Sequence, residues 1–356
     1  MNYWSTMFIA AVVLLFAVPL LPALLEWRYK KDAEPLKVVR EHDGNIKHFA
    51  IRFRQFLADR FPEIVDGGAH IAEGSGQLPG GDRYRVLTES STAPSGESCT
   101  DLLLGPASLK LGSAVFYEKE VYAVGAVQAG ESSTFRAVLA GGDLSLGADS
   151  AVLRWAHSDR KMNIGAKARL FGRISADEAI TLASEARFSR MQAPRVMFGP
   201  SFGTPAVRPP AVTARAALPV PDKLLANSAG RWLFAKSFEV PDASSHQGDL
   251  VTRGDLRIGN GSLIEGSLKS SGDLELGADV RIAGALVCSG TLTIGPGCVI
   301  KGPIVSEKKI EIRSGTVVGS AAAPTTITAP EIRVEEGALA HGTVWARDIG
   351  YVAPIL

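Results

Sequence analysis

The chain is 356 residues long, with 38 Lys or Arg against 37 Asp or Glu, a net charge of +1, and 37 glycines against 7% aromatic residues. Near-neutrality excludes a generally basic surface of the kind that coats nucleic acid, and a glycine-rich, aromatic-poor chain suits coiled β-sheet better than a large α/β core. Three cysteines, Cys99, Cys288 and Cys298, are an odd number without CxxC spacing, which excludes a zinc ribbon or a paired disulfide framework.

Met7 to Leu25, "MFIAAVVLLFAVPLLPALL", is free of charge over its whole length and long enough for one membrane-spanning helix. No Lys or Arg precedes it, and no small-x-small cleavage pattern lies between Pro19 and Trp27, so it reads as an uncleaved anchor, not a secretory signal. Arg28, Lys30 and Lys31 follow at once. By the positive-inside rule they hold the downstream chain in the cytoplasm, with Trp27 and Tyr29 at the interface. Residues 36–61 then read as a juxtamembrane amphipathic helix ended by Pro62, with Ile46, Phe49, Phe53, Phe56 and Leu57 on one face. Its basic excess would let it lie on an anionic leaflet, but the stronger expectation is that the apolar face caps the following domain or pairs with another chain. The connection "GGAHIAEGSGQLPGGDRY" is glycine-rich.

Residues 101–199 carry a degenerate repeat. Leu144 and Leu146, Met162 and Ile164, and Ile180 and Leu182 are each eighteen apart, with Phe198 continuing the first column. Upstream, "LKLGS" and "YAVGA" read as worn copies of the same turn. Residues 200–228, rich in Pro and Ala and without period, read as a linker.

Residues 229–350 carry the repeat plainly. "GDLRIGNGSLIEGSLKSSG", "GDLELGADVRIAGALVCSG" and "GTLTIGPGCVIKGPIVSEK" superpose at a period of eighteen. One column holds Leu256, Leu274, Leu292 and Ile310, a second Ile258, Leu276, Ile294 and Ile312, a third Ile264, Ile282, Ile300 and Val318, and a fourth Leu268, Leu286 and Ile304. Pairs two apart lie on one face of a strand, and glycines at Gly254, Gly259, Gly266 and their repeats supply positive φ or tight corners. The fold class is therefore all-β: a parallel β-helix (β-solenoid) with about 18 residues per coil, preceded by one transmembrane helix and one amphipathic helix. "SAAAPTTITAP" shifts the register by four residues, as a corner loop would.

A search for chemistry is unproductive. Six histidines are scattered with no pair at metal-ligand spacing, and no catalytic, cofactor-binding or metal-ligating residue is predicted. Cys288 and Cys298 occupy positions held elsewhere by Ser or Val and read as reduced core thiols. Hexapeptide acyltransferases share the eighteen-residue coil but need a histidine base at a groove. After Gly254, His341 is the only histidine in the clear repeats, at a corner expected to face solvent. The "RGD" at Arg253–Asp255 is a by-product of the repeated "GDL".

The stretch Gly248 to Val318 resembles the bactofilin domain, with its G-x-L-x-I-G and I-x-G-x-L pattern. The resemblance implies a nucleotide-free β-helix, right-handed in that family, that joins end to end into filaments and recruits cell-envelope enzymes at bacterial membranes. It also implies that the chain's partners are itself and cell-envelope proteins, to which the uncharged span Met7–Leu25 adds the lipid bilayer. The combined expectation is a non-catalytic, membrane-anchored scaffold at the bacterial inner membrane, its solenoid in the cytoplasm and its last coil, with Val334, Val344 and Trp345, offered for assembly. The alternatives are a hexapeptide-repeat acyltransferase and a periplasmic carbohydrate-binding solenoid.

Overall fold

The computed structural model describes residues 2–21, 45–66, 73–88, 96, 98–199, 215–221, 224–228 and 230–355, in two units divided after Asn45. In the first unit, helix α1 (Tyr3–Ala17) continues into a 3-10 turn (Val18–Leu20). Together they make an apolar helix of 18 residues, long enough to cross a membrane. It starts before the expected Met7; the end of the expected span, residues 22–25, lies outside the described residues, as do residues 36–44 of the amphipathic segment.

The second unit is a β-solenoid of about thirteen turns with a spacing of about 18 residues. Its three-residue strands alternate buried, exposed, buried, as Leu274–Leu276 does, so each turn adds one layer of methyl groups to a central stack. The predicted columns are real ladders: Leu256 pairs with Leu274, Leu274 with Leu292, Leu292 with Ile310, and Ile310 with Ile332. Likewise Leu268, Leu286 and Ile304 stack in parallel register and end on Ile327. The register shift falls where expected, in a turn at Ser320–Ala323.

Three faces run the length of the solenoid. The first holds residues 102–105 and their repeats in the first block and 268–270 and their repeats in the second. The second face holds 116–117 and 256–258, and the third 109–111 and 263–264, each with their repeats. The corner between the second and third faces needs one left-handed residue per turn. Gly261, Gly297, Gly315 and Gly337 supply it in the second block beside Ala243 and Asp279, while Ala114, Ser132, Asp149, Lys167 and Glu185 supply it in the first. The in-register Gly254, Gly259 and Gly266 do not have positive φ, so of the two expected roles they serve the tight corner. At Gly266 the corner needs close approach, since a Cβ there would lie 2.0 Å from the Gly248 carbonyl oxygen.

The aspartates of "GDL" are corner pieces. Asp255 Oδ1 accepts the Asp273 N–H at 2.9 Å, and Asp273 Oδ1 accepts the Thr291 N–H at 2.7 Å. The inward small-polar column does the same for carbonyls, with Ser270 Oγ donating to Gly254 O at 2.7 Å and Ser306 Oγ to Gly290 O at 2.7 Å. Backbone groups left over by the bends are thereby satisfied.

Several boundaries differ from expectation. Parallel pairing already starts at Arg83–Val86, which joins Leu102–Gly105, so the first block begins well before residue 101. The copy of "LKL" is Val127–Ala129, and "YAV" lies across the strand Phe116–Ala123 and its end. Phe198 follows Leu182, not Ile180. The segment 200–228 is not all linker: Ala216–Ala217 adds to Ser244–Gln247, and Leu224–Ser228 pairs antiparallel with Arg231–Phe234.

The two blocks are joined end to end by their last coils. Arg187–Phe198 and Leu339–Ala353 each run as one long strand across all three faces, and they pair antiparallel. One hydrophobic core continues through the junction.

Candidate functional site

Two places concentrate what the solenoid offers to other molecules: its ends, and the face that carries a helix. The C-terminal coil is not a free end. Val334 and Val344 are fully buried, with Val344 opposite Met191, and the backbone edge is taken by the first block. Gly350 is needed there because a Cβ would meet the Phe188 ring at 2.1 Å. His341, expected in solvent, is buried in this junction, where its Nδ1 donates to Pro194 O at 2.8 Å. A carbonyl only accepts, so Nδ1 carries the proton. Trp345 stays half exposed under the Arg190 guanidinium, 4.9 Å from its ring centre.

The free ends are therefore the two N-terminal ones. In the first block the hairpin Gly74–Gln77/Arg83–Val86 covers only the first face, while among the described residues Ser98–Cys99 on the second face and Leu109–Leu111 on the third pair with the following coil alone. In the second, Leu224–Ser228 and Ala216–Ala217 cover the first and third faces, but the strand Phe238–Val240 on the second face pairs only with Leu256–Ile258 among the described residues. Phe238 N–H donates to Asp255 O and Val240 O accepts from Gly259 N–H, so Glu239 between them turns its N–H and C=O out of the end.

Helix α2 (His48–Arg60) lies along the first face of the first block, on its flank and not over its end. Its length of about 20 Å matches about four rungs of strand spacing. Ala50 and Leu57 face inward, with Phe53 against Trp155, upon an outward ladder of Leu104, Tyr122 and Leu139. Phe49 and Phe56, expected on the packed face, are instead exposed on the flank.

A polar clasp locks the other flank. Arg54 Nη2 reaches both oxygens of Asp159, at 2.6 and 2.9 Å, and Lys47 Nζ reaches Asp177 at 2.5 Å. His157, buried, holds Ser175 Oγ at 2.8 Å through Nδ1 and lies 3.2 Å from Asp159 through Nε2. Burial alone would raise the Asp159 carboxyl, but hydrogen bonds from His157 and Arg54 and the charge of Arg54 hold it below the usual carboxylate range. His157, Asp159 and Asp177 are close enough to share a cation. Arg54 and Lys47 already place positive charge on both carboxylates, and the group works as a seat for α2. Residue-type scanning missed it, although Asp159 and Asp177, like His157 and Ser175, are one coil apart.

The three thiols are buried and unpaired. Burial raises all three, and pushes Cys298 up to about 12, which leaves them protonated.

Residues 240–345, under a third of the chain, match the model of the bactofilin family, described as polymer-forming cytoskeletal. No curated protein and no solved structure matches the chain.

Proposed function

We propose that this chain is a non-catalytic, membrane-anchored scaffold that self-associates through the N-terminal ends of its solenoid and gathers cell-envelope partners at the bacterial inner membrane. The bactofilin-like residues 240–345 and the continuous β-solenoid support a polymer-forming cytoskeletal role. The observation that carries the assembly step is the edge at Glu239, unpaired among the described residues, in a molecule whose C-terminal coils have closed on each other. An exposed strand edge with unpaired N–H and C=O groups recruits another edge. Tail-to-tail closure leaves two free ends on one molecule, the minimum for a linear polymer.

Anchoring rests on the apolar helix Tyr3–Leu20, and the orientation on Arg28, Lys30 and Lys31. Reporter fusions after Leu356 test the orientation: activity only outside the cytoplasm would overturn it. Electron microscopy and sedimentation of the full chain in detergent test assembly. Wild type is expected to form large linear species. Glu239→Pro, which removes only the outward-facing N–H, is expected to stay folded and fall to small ones. A wild-type chain that remains monomeric at high concentration would leave an anchored platform without polymerisation.

A further inference from the structure

Among the described residues, helix α2 packs by one side only. On the flank away from the clasp, Phe49 is 45% and Phe56 37% exposed. That flank adjoins the corner between the first and second faces, where Leu153 and Phe171 stand outward on neighbouring rungs, 40% and 59% exposed, each beside a register slip against the rung on its other side. Between helix and corner lies a depression lined by Phe49, Arg52, Phe53, Arg154 and Trp155, with Glu120 at its side. Glu120 is engaged by Arg136. Arg52 and Arg154 are exposed and make no ion pair among the described residues, and Arg173 covers the Phe49 ring at 4.9 Å. Large apolar side chains standing proud among uncompensated arginines are costly in water and suited to a surface that is apolar inside and anionic outside.

We propose that this face, the Phe49 flank of α2 together with the Leu153–Phe171 corner, docks on an anionic lipid bilayer surface. Two things on the molecule select a bilayer over another partner. The charge is complementary to anionic headgroups, and the aromatic rings with arginines beside them are the side chains that settle at the headgroup level. The chain also reaches α2 directly from the apolar helix, with only positions 22–44 between Leu21 and Asn45. A segment of that length spans at most about 80 Å fully extended. An anchored chain thus presents Phe49, the second residue of α2, to the bilayer at high local concentration. Docking would lay the solenoid along the membrane on one defined face and turn the third face away from it. This rests on the anchored reading above, in that the tether raises the local concentration.

The test uses the full chain in vesicles of phosphatidylcholine with or without phosphatidylglycerol. Because the native thiols are buried, Ser189→Cys, one rung beyond Phe171 in the same corner, can carry a polarity-sensitive dye, with Asn163→Cys on the third face as control. The label at 189 is expected to shift to the blue and to be quenched by spin-labelled lipid only when phosphatidylglycerol is present. The label at 163 should not respond. Arg52→Glu with Arg154→Glu should abolish the response, and each single neutral change should weaken it about fivefold, as about 1 kcal/mol per basic residue implies. Equal solvent exposure of the two labels, or a response indifferent to the arginines, overturns the proposal. A shift that follows protein density and ignores the lipid assigns the face to a second copy and overturns it as well. If alkaline carbonate strips the chain from vesicles, the anchoring reading has failed separately. Flotation of the stripped chain then decides: arginine-dependent binding to phosphatidylglycerol vesicles supports the docking face, and no binding overturns it.

Discussion

Met191 and Val344 face each other across an antiparallel register, both fully buried, although they belong to different blocks. Their contact makes two solenoids one core, because the stack of the first block meets the stack of the second through this pair and its neighbours. A guanidinium at position 344 would find no partner here. Val344→Arg is expected to lower the unfolding free energy by about 3 kcal/mol or more, read by urea denaturation followed through tryptophan fluorescence. Unchanged stability with a smaller particle would instead place Val344 in a contact between molecules.

Leu286 and Glu275 separate the inward from the outward side of the coil. Leu286 is fully buried between Leu268 and Ile304, and Leu286→Asp should destabilise by several kcal/mol, about the cost of an unpaired buried carboxylate. Glu275 points outward beside Arg257 at 3.6 Å, a surface pair of little net value. Glu275→Lys should therefore change stability by less than about 0.5 kcal/mol in the same denaturation experiment. Equal losses from the two would reverse the assignment of faces.

The left-handed corner gives a stabilising change. Lys167 has φ 60° at a position that Gly261 and Gly297 fill in the second block. A side chain in that conformation costs about 1 to 2 kcal/mol, whereas glycine costs about 0.5 to 1 kcal/mol in unfolded-chain entropy. The difference favours glycine. Lys167→Gly should raise stability by about 0.5 to 1 kcal/mol, visible as a higher denaturation midpoint without a change in slope.

The same corner explains what was legible in the sequence. In the second block four of the six left-handed positions are glycine and the apolar residues sit strictly two apart, so period, register and inward columns could be read from Leu256 to Val318 alone. In the first block the corner is built from Ala114, Ser132, Asp149, Lys167 and Glu185, and the strand Phe116–Ala123 turns from one face to the next through a slip at Glu118 and Lys119. Outward positions there, such as Leu104, Tyr122 and Leu139, are also apolar because α2 covers them. Alternation is lost where both sides of a strand are buried. The antiparallel closure of Arg187–Phe198 on Leu339–Ala353 left no periodic trace, since it joins segments far apart in the chain. The clasp was equally silent: its acids are spaced by the coil, but Arg54 and Lys47 that complete it come from a helix.

That clasp predicts an acid limit to the seating of α2. The Asp159 carboxyl is held below its ordinary value by His157 and Arg54, so the stabilisation is fully present above about pH 4, the ordinary aspartate range, and is lost as pH falls through the lower folded value. Arg54 is partly exposed and solvent screens the pair, so the contribution is about 1 kcal/mol. Asp159→Asn should lose this amount at neutral pH and show no further decline with acid, because nothing remains to protonate at that position. Hydrogen exchange of the α2 amides gives a direct reading. In wild type, protection of Ala50 to Leu57 should fall on acidification below about pH 4, after correction for intrinsic exchange, while the amides of the second block keep theirs. In Asp159→Asn, α2 should begin less protected and stay level. A wild-type helix whose protection tracks that of the second block through the whole acid range would show that the apolar contacts of Leu57 and Phe53 alone hold it in place.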